Sequence, residues 1–176
     1  MAPGDTSIYH IHHTPSLFIL FSNTTTGSVD WGKAPSTGKT TAGTMLYEDL
    51  SAPNTRTHRV WNADKDTFHV MDIELLASKT GFKQAPLENT ALKLEIDNAY
   101  VRAYQLSLGK GQGFRIRDSD RSFVLISYGN VVVNTHSGNN TMKPGSFMEL
   151  KQGEAFMLTA LGEGISRFAL IELPGN

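Results

Sequence analysis

The sequence predicts an all-β protein built of two similar antiparallel barrels, and three observations lead there. β-rich segments recur at 17–21, 67–76, 100–108, 123–126, 131–135 and 167–173, and several alternate apolar with polar residues. In extended backbone that period of two turns one face to a core and the other to water. Turn signals rich in Gly, Pro and Asn separate the segments, at 137–140, 143–145, 152–153 and 162–164. The second half of the chain also repeats the first. Many short strands joined by such turns form a sandwich or a barrel.

The repeat can be followed in order. Gly4-x5-His10-x-His12 is mirrored by Gly109-x5-Arg115-x-Arg117, and the apolar run at 18–22 by the one at 123–127. The segment ending in His58 and Asn62 is mirrored by Gly145-x5-Lys151-x-Gly153-x2-Phe156-x3-Ala160. Asp72-Ile73-Glu74-Leu75 follows His58 at the same distance as Leu170-Ile171-Glu172-Leu173 follows Phe156. Agreement along nearly the whole chain implies two copies of one unit. The expected division is an N-terminal half at 1–78, a linker at 79–90 and a C-terminal half at 91–176. Residues 24–45, rich in Thr, Ser, Gly and Pro with Trp31 among them, are expected to form a long loop.

Composition narrows the function. The 176 residues carry a formal net charge of −1, so no basic surface calls for nucleic acid or an anionic membrane. Cysteine is absent, which excludes disulfides, thiolate nucleophiles and thiolate metal ligands. No apolar run approaches the ~18 residues of a membrane helix. The first residues resemble no signal peptide, so a cytoplasmic location is expected. Gly38-Lys39-Thr40-Thr41 has the wrong spacing from Gly32 for a phosphate loop, and residues 109–113 lead into a strand rather than a helix; both are turns.

The histidines carry the chemistry. On one strand His10 and His12 point the same way, and a third imidazole from a nearby strand, His58, would complete a mononuclear metal site. His13 faces the other way on an ideal strand, and His69 and His136 lie outside this grouping. Gly4, His10, His12, Pro53, His58 and Asn62 fit the frame Gly-x5-His-x-His followed by Pro-x-Gly-x2-His-x3-Asn, with Thr55 at the second motif's Gly. That frame is the two-part motif of the cupins, so the chain resembles a bicupin with one histidine-bearing half and one degenerate half. The resemblance implies a small jelly-roll barrel holding a metal or ligand at its mouth. The family's usual fourth ligand is a Glu four or five residues after the second His, where this chain has Ser16 and Leu17. Three histidines still suffice for zinc, iron, manganese, nickel or copper. Tyr9, Tyr47, Arg56 and Trp61 lie near the motif in sequence and are candidate contacts to a small organic substrate.

In the second half the corresponding positions are Arg115, Arg117, Ser122 and Phe156. Phe156 would plug the barrel, with the arginines paired to Asp118, Asp120 or Glu149; the alternative is an anion pocket on the two guanidinium groups. Residues 91–108, enough for two strands, precede Gly109 in the second half, whereas three residues precede Gly4. The first half therefore lacks leading strands, through a shortened N-terminus or because another segment covers the edge. A homodimer formed by strand addition beside 17–21 would cover it, as would fold-back of the segment around 40–47.

Two functions remain open, because this fold hosts many chemistries. One is a metal-dependent enzyme of oxygenase, isomerase, lyase or cyclase type acting at the three histidines. The other is a metal-free binding or scaffold protein with a relic site.

Overall fold

Strand alternation organises both halves of the chain. The computed structural model describes residues 1–76, 81–117, 120–135, 138–150, 152–153 and 155–175. It divides into two compact units, Met1–Leu76 and Ala77–Asn176. No helix among the described residues is long and apolar enough to cross a membrane.

The first unit contains β1 (His10–His12), β2 (Ser16–Leu20), β3 (Thr25–Asp30), β4 (Ser36–Lys39), β5 (Met45–Glu48), β6 (Arg56–Asn62) and β7 (Val70–Glu74). They form two antiparallel sheets, ordered β1-β6-β3-β4 and β5-β2-β7. The second unit contains β8 (Leu92–Asp97), β9 (Arg102–Leu108), β10 (Gly113–Ile116), β11 (Ser122–Ser127), β12 (Val131–Thr135), β13 (Gly138–Met142), β14 (Phe147–Leu150), β15 (Phe156–Ala160) and β16 (Ser166–Leu173). Its sheets are β10-β15-β12-β13 and β14-β11-β16-β9-β8. Strand for strand, β10 to β16 repeat the order of β1 to β7. Among the described residues, only β8 and β9 have no counterpart in the first unit.

Two expectations are corrected here. Residues 24–45 are not a long loop: they hold the β3–β4 hairpin and the start of β5. Their apolar content is low because β3 turns Thr26 and Ser28 toward a cavity, while Gly27 on its other face makes room for the Trp61 ring. Residues 17–21 also do not lie beside an unpaired edge. β2 is central, bonded to β5 on one side and β7 on the other, so fold-back of the segment around 40–47 supplies the neighbour. The argument for a dimer at that edge falls away. The strand left at the sheet edge is β7, where β9 and β8 continue the second sheet.

The second barrel is filled. Tyr104, Leu106, Phe114, Ile116, Phe123, Leu125, Leu158, Phe168 and Leu170 belong to one buried cluster that also contains Phe156. Beneath it Glu172, fully buried, accepts hydrogen bonds from the Tyr104 hydroxyl at 2.8 Å and from Arg121 at 3.0 Å. Burial pushes the Tyr104 hydroxyl up to about 12. Arg102 and Arg121 donate to the carbonyls of Gln84 and Ala85, which holds that segment on the barrel. Removing Glu172 would leave two guanidinium groups short of a partner in a dry setting.

Candidate metal centre

The pairing of β1 with β6 assembles the histidines. His10 lies opposite His58 in the antiparallel register, and His12 is two residues along β1 on the same face. Their rings converge: centroids are 5.0 Å apart for His10–His12, 4.6 Å for His10–His58 and 5.0 Å for His12–His58. One ligand nitrogen from each lies within 4.8 Å of the other two. His12 and His58 are each 7% exposed. His12 Nε2 is 3.1 Å from His58 Nε2, close to the roughly 3.3 Å between two imidazole nitrogens sharing a tetrahedral ion.

The tautomers favour that use. His10 Nδ1 is 3.0 Å from the Ile8 carbonyl, and since a carbonyl only accepts, the proton sits on Nδ1 and the Nε2 lone pair is free. Burial, reinforced by Arg56 and by the other two imidazoles, pulls His58 down to about 4, so its ring is neutral near pH 7. A neutral imidazole is the form that ligates. His58 Nδ1 is buried without a hydrogen-bond partner. The donor set of three imidazoles suits a borderline divalent cation.

The rings open onto a cavity of about 310 Å³ between the two sheets. Phe18, Leu20, Leu46, Val60, Phe68 and Val70 form its apolar wall; Thr26, Ser28, Glu48, Arg56 and Asp72 supply polar groups. Arg56 donates from Nε to Asp30 at 2.9 Å and from Nη1 to Glu48 at 3.1 Å. The Arg56 and Lys33 hydrogen bonds hold the Asp30 carboxyl below its ordinary range.

Of the four residues expected to meet a substrate, Arg56 lines the cavity and Tyr9, Tyr47 and Trp61 do not. The reason is parity along a strand. Tyr9 adjoins His10, and Trp61 is three residues beyond His58, so both face outward. Tyr9 packs edge-on against Trp31 at 5.0 Å with the Arg59 guanidinium 5.4 Å from its ring centre. Tyr47 alternates with Leu46 and Glu48, which face in. The same rule could have been applied to the sequence. His13 and His69 are exposed, and His136 lies outside the described residues. Asp72 entered the sequence reading only as part of the repeat and Glu48 not at all, and neither was expected at the site.

The second barrel differs at the matching positions. Ile116 pairs with Phe156 as His10 pairs with His58, so Ile116, not Arg115, is the counterpart of His10. Arg115 and Arg117 are exposed on the outer face, which corrects their assignment to the ligand positions and with it the anion pocket there. A shift of one residue moves every side chain to the other face. Of the expected pairings, Asp118 lies outside the described residues, and no ion pair joins either arginine to Asp120 or Glu149 among the described residues. Phe156 does occupy the core.

No family model matches the sequence, and no curated protein matches it. Solved structures do. YhhW from Escherichia coli superposes with a TM-score of 0.69 at 15% identity, covering 100% of this chain and 79% of that one. AerE from Microcystis aeruginosa gives 0.68 at 8% identity, covering 98% and 84%. A salicylate 1,2-dioxygenase from Pseudaminobacter salicylatoxidans gives 0.59 at 11%, covering 98% and 68%. With β1 to β7 repeated by β10 to β16 and these superpositions along the whole chain, the protein has the cupin fold, with its histidine cluster in the first of two jelly-roll units.

Proposed function

We propose that the first barrel binds one divalent metal ion on Nε2 of His10, His12 and His58 and acts as a metal-dependent enzyme on a small, largely apolar organic molecule. The observation that carries this reading is the convergence of three neutral-capable imidazoles at the wall of a cavity, with His12 Nε2 3.1 Å from His58 Nε2. Among structures of the same fold, the bacterial pirin YhhW is described in complex with nickel(II) and another is a salicylate 1,2-dioxygenase, which supports the reading by analogy alone.

A divalent ion held there supplies Lewis acidity toward a carbonyl or enol oxygen, or activates water or dioxygen. The chain's own residues do the rest. Phe18, Leu20, Leu46, Val60, Phe68 and Val70 bind the organic body and exclude water from the imidazoles. Arg56, neutralised by Asp30 and Glu48, gives the cavity a fixed polar end without a net positive charge. The reaction class is of oxygenase, isomerase, lyase or cyclase type.

The test is elemental analysis of protein purified without an affinity tag, followed by chelation and metal add-back. About one ion per chain, removed by chelator and restored by add-back, supports the reading. A metal-free protein that still binds apolar ligands in the cavity would replace it with the binding-protein alternative.

A further inference from the structure

We propose that Asp72 is the positioning residue of this centre: its carboxylate holds the Nδ1 proton of His12 and so presents the His12 Nε2 lone pair to the ion. The inference rests on the three-histidine reading and deepens it. Asp72 Oδ2 lies 3.3 Å from His12 Nδ1, on the side of the ring opposite the nitrogen that faces His58. His12 Nδ1 is buried and forms no well-aligned hydrogen bond, so a small turn of the Asp72 side chain satisfies it. An unpaired N–H in a buried imidazole is costly, and an acceptor at this distance removes the cost. The same service is given to His10 by the Ile8 carbonyl at 3.0 Å. Asp72 reaches the side of the ring away from His58, so toward an ion on the three histidines it orients a ligand, although with His12 and Glu74 it also forms a second group of ligand atoms within 4.8 Å of one another.

The repeat supplies an independent argument. Asp72 follows His58 at the same spacing as Leu170 follows Phe156, and β7 and β16 hold the same place in their sheets. By that spacing Leu170 is the internal counterpart of Asp72, and it is fully buried in the second core. In the barrel where Ile116 and Phe156 replace His10 and His58, an apolar side chain replaces the carboxylate too. The carboxylate and the imidazoles occur together and are lost together.

Carboxylates in this position orient the ring and raise ligand basicity, and removing them weakens metal binding roughly 10- to 100-fold. The experiment uses the full chain as wild type, Asp72→Ala, Asp72→Asn, Asp72→Glu and Glu74→Gln. Nitrogen-15 NMR of the metal-free proteins reads the His12 tautomer. Titration with Co²⁺, followed by its visible absorption, reads affinity. Expected are an Nδ1–H tautomer in the wild type that shifts toward Nε2–H in Asp72→Ala, and a roughly 10- to 100-fold weaker Co²⁺ affinity. Asp72→Glu should recover most of the affinity, and Glu74→Gln should behave as wild type. Should Asp72→Ala fail to fold, the near-isosteric Asp72→Asn carries the same comparison, with a smaller but measurable loss. Unchanged affinity and tautomer in the Asp72 variants, beside a wild type that binds Co²⁺, would overturn this proposal alone. An equal loss in Glu74→Gln would also overturn it, since the ion would then sit on the group of His12, Asp72 and Glu74 and Asp72 would be a ligand. A wild type that binds no Co²⁺ would remove the metal reading and this inference with it.

Discussion

His12 Nε2 and His58 Nε2 face each other at 3.1 Å inside the first barrel, away from water. Two lone pairs at that distance repel unless a proton or a cation lies between them. A proton would have to sit on Nε2 of one ring. Whichever ring supplies it, only one of the two Nε2 lone pairs is then available to a third group such as His10. A shared cation satisfies both nitrogens at once and recruits His10. His12→Ala and His58→Ala together are therefore expected to abolish stoichiometric metal binding, read by equilibrium dialysis. Retention of one chelatable ion per chain would place the metal elsewhere.

The depressed His58 gives a pH dependence of definite sign. Its imidazole titrates at about 4 in the native state and near 6.5 when unfolded. Between those values the unfolded chain binds more protons, so stability is complete above about 6.5 and declines as pH falls toward 4. The upper bound from this group is about 3 kcal/mol. In metal-free protein, His58→Phe should flatten the fall in unfolding free energy between pH 6.5 and 4, measured by urea titration at each pH. Identical slopes in the two proteins would show that His58 is not held neutral by its surroundings.

The sequence made the duplication and the three histidines readable because both are matters of spacing: period two puts His10 and His12 on one face, and the repeat needs no coordinates. It did not reveal β3 and β4, whose Thr26, Ser28 and Gly27 serve a polar cavity and an aromatic ring instead of an apolar core. Nor did it place Arg115. The Gly109 frame aligns one residue away from the hydrogen-bonded register, and one residue is a whole face. Asp72 was hidden for another reason, since it reaches His12 from a strand sixty residues away in the chain.

The apolar filling of the second barrel has a measurable consequence. Phe156 is 2% exposed and packs in the cluster with Ile116 and Leu158. Phe156→Ala should cost about 3–5 kcal/mol in the second unit through lost burial and a residual cavity. Metal content should not change, because the three histidines belong to the other unit. Denaturant unfolding and elemental analysis of the same preparation check both statements. A variant with normal stability would mean that the site collapses around the missing ring.

Gly27 and Trp61 offer a sharper test of packing on the outer face of the first barrel. They pair directly across β3 and β6, and a Cβ added at Gly27 would come within 2.0 Å of Trp61 Cε2. The Gly27 backbone lies outside the left-handed region, so alanine is conformationally acceptable there. Replacing glycine in a strand would by itself stabilise by about 0.5–1 kcal/mol. The clash reverses that sign, because the indole must leave the surface it covers. Gly27→Ala should therefore destabilise the wild type by about 1–3 kcal/mol. In a Trp61→Ala background the same substitution should be neutral or stabilising, since the obstacle is gone. The double-mutant cycle isolates the contact as a coupling energy of at least about 1 kcal/mol between the two sites. Equal effects of Gly27→Ala in both backgrounds would show that the indole does not rest on Gly27 in solution.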